Sequence, residues 1–156
     1  MTIQTNRSEQ LWRVFWIAAC IAVAALIYCF SAQTAPESND VSKGFLRQLL
    51  LLLGRSPDLL LQRYNHYIRK AAHFSIYALL GFCLTGLFHH QKRVPAVPAA
   101  IAAAALYAMT DEFHQSLVPG RGPQWTDVLL DSSGAVLGAL IMALILRLLL
   151  RSSRKP

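Results

Sequence analysis

Long apolar stretches alternate with short polar ones along the chain. Stretches without Asp, Glu, Lys or Arg run over residues 14–36, 71–91, 94–110 and 132–146, each close to the ~20 residues a helix needs to cross the hydrocarbon core. In lipid every backbone group must be satisfied within its own helix. The pattern therefore predicts an all-α, polytopic membrane protein, a four-span helical bundle forming one domain over residues 1–156, with spans at about 14–31, 71–89, 94–112 and 128–148. The third and fourth reach spanning length only if Asp111 and Asp131 lie inside the bundle or at its rim. Arg7 and Arg13 precede the first run, which is long for a cleaved signal, and residues 31–35 offer no good pair of small residues at cleavage spacing. A retained first span is expected, with Trp12 and Trp16 in the interfacial belt.

Between the first two spans the pattern changes. Phe45, Leu46 and residues 49–53 make an apolar face beside Lys43, Arg47 and Gln48, too short to span and suited to lying in the interface. Gly54 is placed to close that helix, and Ser56-Pro57-Asp58 to cap and start another carrying residues 59–61, Tyr64 and Tyr67 at headgroup level. An extra interfacial helical segment over about 41–70 is expected, separate from the second span.

Composition supports the membrane assignment, with 54% hydrophobic and 15% charged residues far from soluble averages. A net charge of +7 would suit nucleic acid or an anionic surface, but position decides. Arg147, Arg151, Arg154 and Lys155 trail the last apolar run, and Lys92 and Arg93 fill the shortest connection, which is how positive-inside bias is written. No nucleic-acid partner is expected. With both termini inside, cytoplasmic parts carry eight Lys or Arg against Glu9 alone, whereas outer parts carry seven Lys or Arg and seven acids. Cys20, Cys29 and Cys83 lie in apolar spans without ligand-like spacing, as small buried hydrophobes do. His89 and His90, beside Lys92 and Arg93, belong to a solvated turn.

Charge inside the apolar pattern marks the candidate chemistry. Half of the eight acids, Asp111, Glu112, Asp127 and Asp131, fall between two strongly apolar runs, where an ionised group is costly and needs a reason. Arg69, His73 and Tyr77 recur every four residues and share one helical face, with Lys70 beside them. Tyr107, Asp111 and Gln115 share another, flanked by Glu112 and His114. Residues 119–123 hold Arg121 in a stiff turn. Thr126 is placed to cap the last helix with Asp127 in its first turn. Asp131 lies one turn deeper, continued by the small pair Gly134 and Gly138 that lets a helix approach closely. Spans one and three run one way, two and four the other. Ser31 and Gln33 at the end of the first, Arg69 and His73 at the start of the second, and both acidic pairs therefore meet on one side, which the charge bias places outward.

Phe30-Ser31-x-Gln33, Arg69-Lys70-x-x-His73-Phe74-x-x-Tyr77, Tyr107-Ala108-x-Thr110-Asp111-Glu112-Phe113-His114-Gln115, Pro119-Gly120-Arg121 and Asp127-x-x-x-Asp131-x-x-Gly134 occur in this order. In that combination the chain resembles the VanZ-like family of bacterial integral membrane proteins from Phe30 to about Gly138. The resemblance implies a multi-span protein of the bacterial cytoplasmic (inner) membrane, and its founding member is linked to low-level teicoplanin resistance. It supplies no established reaction.

Two function classes follow. In the first, an envelope protein binds an anionic lipid, a lipid-linked cell-wall precursor or a glycopeptide, with Arg69, Lys70 and Arg121 meeting phosphate or carboxylate and the acids holding them in place. Its bland counterpart is a network that only locks four helices together. In the second, Asp111, Glu112, Asp127 and Asp131 with His73 and His114 bind a divalent metal and activate water for phosphoester or amide hydrolysis, or His73 or Glu112 serves as a general base. Metal or catalytic signatures of known type are absent from the sequence. Transport is the weakest class, since four short spans show no convincing repeat and no broken helices. Monomer and oligomer both stay open.

Overall fold

The computed structural model describes residues 7–54, 58–91, 95–122 and 124–152, and all its regular elements there are helices. In chain order they are α1 (Arg7–Ser31), α2 (Ala35–Leu52), α3 (Asp58–Gln91), α4 (Ala96–Ser116) and α5 (Trp125–Ser152). The cap expected at Ser56 and Pro57, and Lys92, Arg93, Pro123, Arg154 and Lys155, lie outside the described residues.

Among the described residues three stretches are long and apolar enough to cross a membrane: Arg7–Ser31, Tyr64–His90 and Trp125–Arg151. The four-span expectation is thus met by three helices. The fourth, α4, has 21 residues, but its body is mostly alanine, the least apolar of the hydrophobic side chains, and its last turns carry Asp111 and Glu112. The bundle leaves large side chains such as Leu11, Ile21, Leu129 and Leu140 uncovered by protein, as lipid-facing positions are in a helix that is apolar all round.

The region between the first two spans differs from expectation in both halves. The first helix starts at Ala35, where the Thr34 backbone N–H and hydroxyl both donate to Glu37 at 2.8 Å and Pro36 sits in the opening turn, a reciprocal start signal with proline where no backbone donor is missed. It ends at Leu52, and the chain turns away at Gly54, whose φ of 66° is the left-handed conformation that glycine adopts without a Cβ penalty. Residues 58–70 are not a separate interfacial piece: from Asp58 the helix runs unbroken into the span, with neither proline nor glycine before Gly81. Once nucleated, each added residue extends a helix at little cost. Leu46 and Leu50 of α2 are buried, and Asn65 of α3 donates to Asn39 of α2 at 3.1 Å.

The largest interface joins α3 and α5. A Cβ on Gly138 would overlap the Ala78 carbonyl, one on Gly134 the Phe74 carbonyl, and one on Gly81 the Ala135 carbonyl. These small positions let the backbones touch, the way helices gain contact where lipid supplies no hydrophobic drive. The core continues through Trp16, Val23 and Ile27 of α1, Tyr77, Leu80 and Cys83 of α3, and Ala104 and Ala108 of α4. Tyr107 donates to the Ala24 carbonyl at 2.8 Å, fixing α4 to α1. At the opposite end from the acids, Trp12 stacks on His90, with centroids 6.4 Å apart, so His90 is packed against α1 and not simply solvated. Cysteine burial is uneven: Cys83 is buried, Cys20 half-buried and Cys29 exposed, because Cys29 falls on the outer face of α1.

Candidate functional site

Alternating helix direction brings the end of α1, the start of α5, the end of α4 and the upper half of α3 to one pole of the bundle, where the polar residues form two connected layers.

The rim layer is a set of paired groups. Lys70 of α3 forms an ion pair with Asp127 in the first turn of α5, where the helix dipole also favours an anion. Glu112 accepts a hydrogen bond from the Gln124 backbone N–H just before α5. That helix starts at Trp125 and not after Thr126, so the expected Thr126 cap is replaced: Asp127 N–H donates to the Gln124 carbonyl at 2.8 Å. Arg121 projects from the loop between α4 and α5, held by its own N–H to the Val118 carbonyl at 3.1 Å and by Gly120 at φ 79°. Its guanidinium donates to Gln115 Oε1 at 3.0 Å and to the Phe30 carbonyl at 3.5 Å. Gln115 in turn donates to Asp111 Oδ2 at 2.9 Å, linking rim to interior. Burial, and then the neighbouring Arg69 guanidinium, pull the Arg121 pKa below its ordinary value, against Asp111 and Glu112.

The inner layer is His73 of α3, Asp111 of α4 and Asp131 of α5. One donor atom from each lies within 4.8 Å of the other two. Asp111 is 5% and Asp131 2% exposed. His73 Nδ1 stands 3.9 Å from Asp131 Oδ1, beyond hydrogen-bond reach. The Asp131 Oδ1 atom is buried without a hydrogen-bond partner among the described residues. Tyr77, fully buried, faces both aspartates.

Two cavities adjoin these layers. A polar cleft of about 100 Å³ is lined by Arg69, Arg121, Glu112, Gln115, Gln124 and Asp127. A larger apolar cavity of about 460 Å³ lies between α1, α2 and α3, lined by Ile27, Phe30, Val41, Phe45, Ala72 and Ile76 among others, with Gln33, Arg69 and His73 on its wall. Arg69 lines both, and it has no hydrogen-bond or ion-pair partner among the described residues.

The residues singled out from sequence are therefore distributed unevenly. Arg69, Lys70, Glu112, Gln115, Arg121 and Asp127 gather at the rim, and His73, Tyr77, Asp111 and Asp131 gather inside. Ser31 is fully buried with an unpartnered hydroxyl, one residue past the carbonyl that Arg121 reaches. His114 is not brought to the acids: its ring lies against Tyr28 of α1, centroids 4.8 Å apart. Sequence reasoning did not find the backbone of Gln124 as the donor to Glu112, nor the α2 wall of the apolar cavity. The first has no side-chain signature, and the second depends on how α2 docks.

Residues 15–147 match the family described as VanZ/LLP1. No curated protein and no solved structure shows a significant match to the chain.

Proposed function

The chain belongs to the VanZ/LLP1 family, and from that premise we propose that this envelope membrane protein binds an amphiphile with an anionic head and a hydrocarbon tail. The observation that carries the reading is Arg69, the side chain common to the polar cleft and the apolar cavity. Its two neighbours in charge are already engaged, Lys70 with Asp127 and Arg121 with Gln115, while Arg69 shares the cleft with the Arg121 guanidinium and makes no ion pair among the described residues. Two arginines converge on a cleft whose carboxylates, Asp127 and Glu112, are bonded to Lys70 and to the Gln124 N–H, and guanidinium forks suit phosphate or carboxylate. The apolar cavity has the size and lining common to small-molecule sites, and its polar corner adjoins that cleft. A head at Arg69 and Arg121 would leave its tail free to enter between α1, α2 and α3.

In this reading α4 crosses the membrane as a fourth span, because its acids are covered by α3 and α5 and its length suffices. The charge bias favours the site facing outward with both termini cytoplasmic. Phospholipids and lipid-linked cell-wall precursors share the required chemistry, and a glycopeptide bearing a hydrocarbon tail would extend it, which is where any effect on teicoplanin susceptibility would arise.

The test uses the full chain in detergent, titrated with phosphatidylglycerol, an isoprenyl pyrophosphate and phosphatidylcholine. A charge-assisted hydrogen bond is worth ~1.5–3 kcal/mol, so Arg69→Ala should weaken both anionic ligands about 10- to 100-fold and leave the zwitterion nearly unchanged. Ala72→Trp, which fills the apolar cavity, should weaken the ligands with tails while sparing free pyrophosphate. Equal affinity for all three lipids, unmoved by Arg69→Ala, would sink the proposal. Labelling of introduced cysteines at Gly120 and His90 tests orientation, which reverses if position 90 is the one reached from outside.

A further inference from the structure

We propose that His73, Asp111 and Asp131 hold one divalent cation inside the bundle, beneath the arginine cleft and independent of amphiphile binding. Three separate helices each deliver one donor, and the three donor atoms lie within 4.8 Å of one another. Donors bonded to one ion at ~2.0–2.2 Å must lie within about twice that bond length of each other, so only a small contraction of the set is needed. The 3.9 Å between His73 and Asp131 is too long for a hydrogen bond and fits two ligands flanking an ion.

The second, independent observation is an orphaned atom. Asp131 Oδ1 is buried with no hydrogen-bond partner among the described residues, in a residue only 2% exposed. Two ionised carboxylates side by side in a nearly dry interior are strongly unfavourable unless they share a proton or a cation lies between them. The side-chain cations nearby do not pair with the two aspartates: Lys70 is paired with Asp127 at the rim, Arg121 reaches Asp111 only through Gln115, and Arg69 makes no ion pair among the described residues. That Gln115 contact is the kind of outer hydrogen bond that orients a ligating carboxylate. The rim acids do not join the set, since Asp127 holds Lys70 and Glu112 holds the Gln124 N–H. One imidazole and two carboxylates suit Zn²⁺ or Mn²⁺, and three protein donors leave a position open for water or a ligand oxygen.

The full chain, stripped with EDTA in detergent and reloaded separately with Zn²⁺ and Mn²⁺, should retain about one ion per chain after desalting and unfold at higher temperature than the stripped protein. His73→Gln and Asp131→Asn should each weaken retention at least ~10-fold, while Asp127→Asn retains the ion. Asp131→Cys, a smaller side chain, keeps the test open if Asp131→Asn folds poorly. A thiolate should turn the preference from Mn²⁺ towards Cd²⁺. Wild type retaining no more ion than His73→Gln, or an unchanged preference in Asp131→Cys, would overturn the assignment, and because neither readout involves lipid, failure here is distinct from failure of the amphiphile reading.

Discussion

Replacing Gly134 with alanine tests whether the contact of α3 with α5 holds the two layers in register. The new Cβ would overlap the Phe74 carbonyl oxygen and stand 3.1 Å from its carbon and 3.3 Å from the Ala78 nitrogen. The obstructing atoms are backbone, so the helices themselves must separate. Overpacking of this kind costs ~1–3 kcal/mol. Alanine also gains about 1 kcal/mol of helix propensity over glycine, which partly hides the effect. Gly44 in α2 removes the ambiguity, because nothing lies within 4 Å of a Cβ there. Gly44→Ala should therefore stabilise by about the propensity gain alone, and Gly134→Ala should fall below it by ~1–3 kcal/mol. The measurement is reversible unfolding in mixed micelles for both variants and wild type. Gly134 is three residues from Asp131 and packs one residue from His73, so separation at this point should also weaken cation retention. If both alanines stabilise equally, α3 and α5 do not touch at Gly134, and the site geometry argued from that contact fails with it.

Two further outcomes can be checked. The side chains of Lys70 and Asp127 are 28% and 25% exposed, between a surface pair worth at most ~1 kcal/mol and a buried one costing ~3–5 kcal/mol to break. A double-mutant cycle with Lys70→Met and Asp127→Asn should thus give a coupling of ~1–2 kcal/mol that shrinks with salt, and a coupling below ~0.3 kcal/mol would mean that the pair is not formed. Donation from the Thr34 backbone, then from its hydroxyl, holds the Glu37 carboxyl below the usual carboxylate range. A depressed folded pKa contributes stability above the unfolded value of ~4.3 and loses it as pH falls through the folded one, so protection of the first-turn amides of α2, taken as observed exchange relative to the intrinsic rate at each pH, should fall on acidification in wild type and hardly change with pH in Glu37→Gln. Identical profiles for the two proteins would show that the helix start does not depend on this carboxylate.

Much of the site was legible because its signals are local. Apolar run length gives three span-capable helices, and alternating helix direction sends the acids of 111–112 and 127–131 to the pole that receives Arg69 and His73. The four-residue spacing of Arg69, His73 and Tyr77, and of Tyr107, Asp111 and Gln115, fixes which side chains share a face. The same locality explains the misses. Pattern alone separated residues 58–70 from the second span because their polarity suggested an interface, whereas backbone continuity from Asp58 to Gln91 depends only on the absence of a breaker. The cap assigned to Thr126 moved because the first turn of α5 is closed by the Gln124 carbonyl, and helix ends are decided by backbone hydrogen bonds that side-chain identity only biases.

Residue spacing and apolar run length are enough to put one basic and one acidic set of residues on apolar helices and to send both sets to one pole. Which acid answers which base was decided by tertiary structure. Lys70 takes Asp127, Arg121 takes Gln115, and Arg69 is left facing two cavities, because partner choice depends on the rotation and separation of helices distant in sequence. Those quantities are set where Gly134 and Gly138 meet the carbonyls of Phe74 and Ala78, a contact whose small-residue signature is visible in the chain but whose partner helix is not. Likewise α2 could be read as amphipathic, yet only its docking on α3 through Asn39 and Asn65 leaves an apolar cavity beside an arginine.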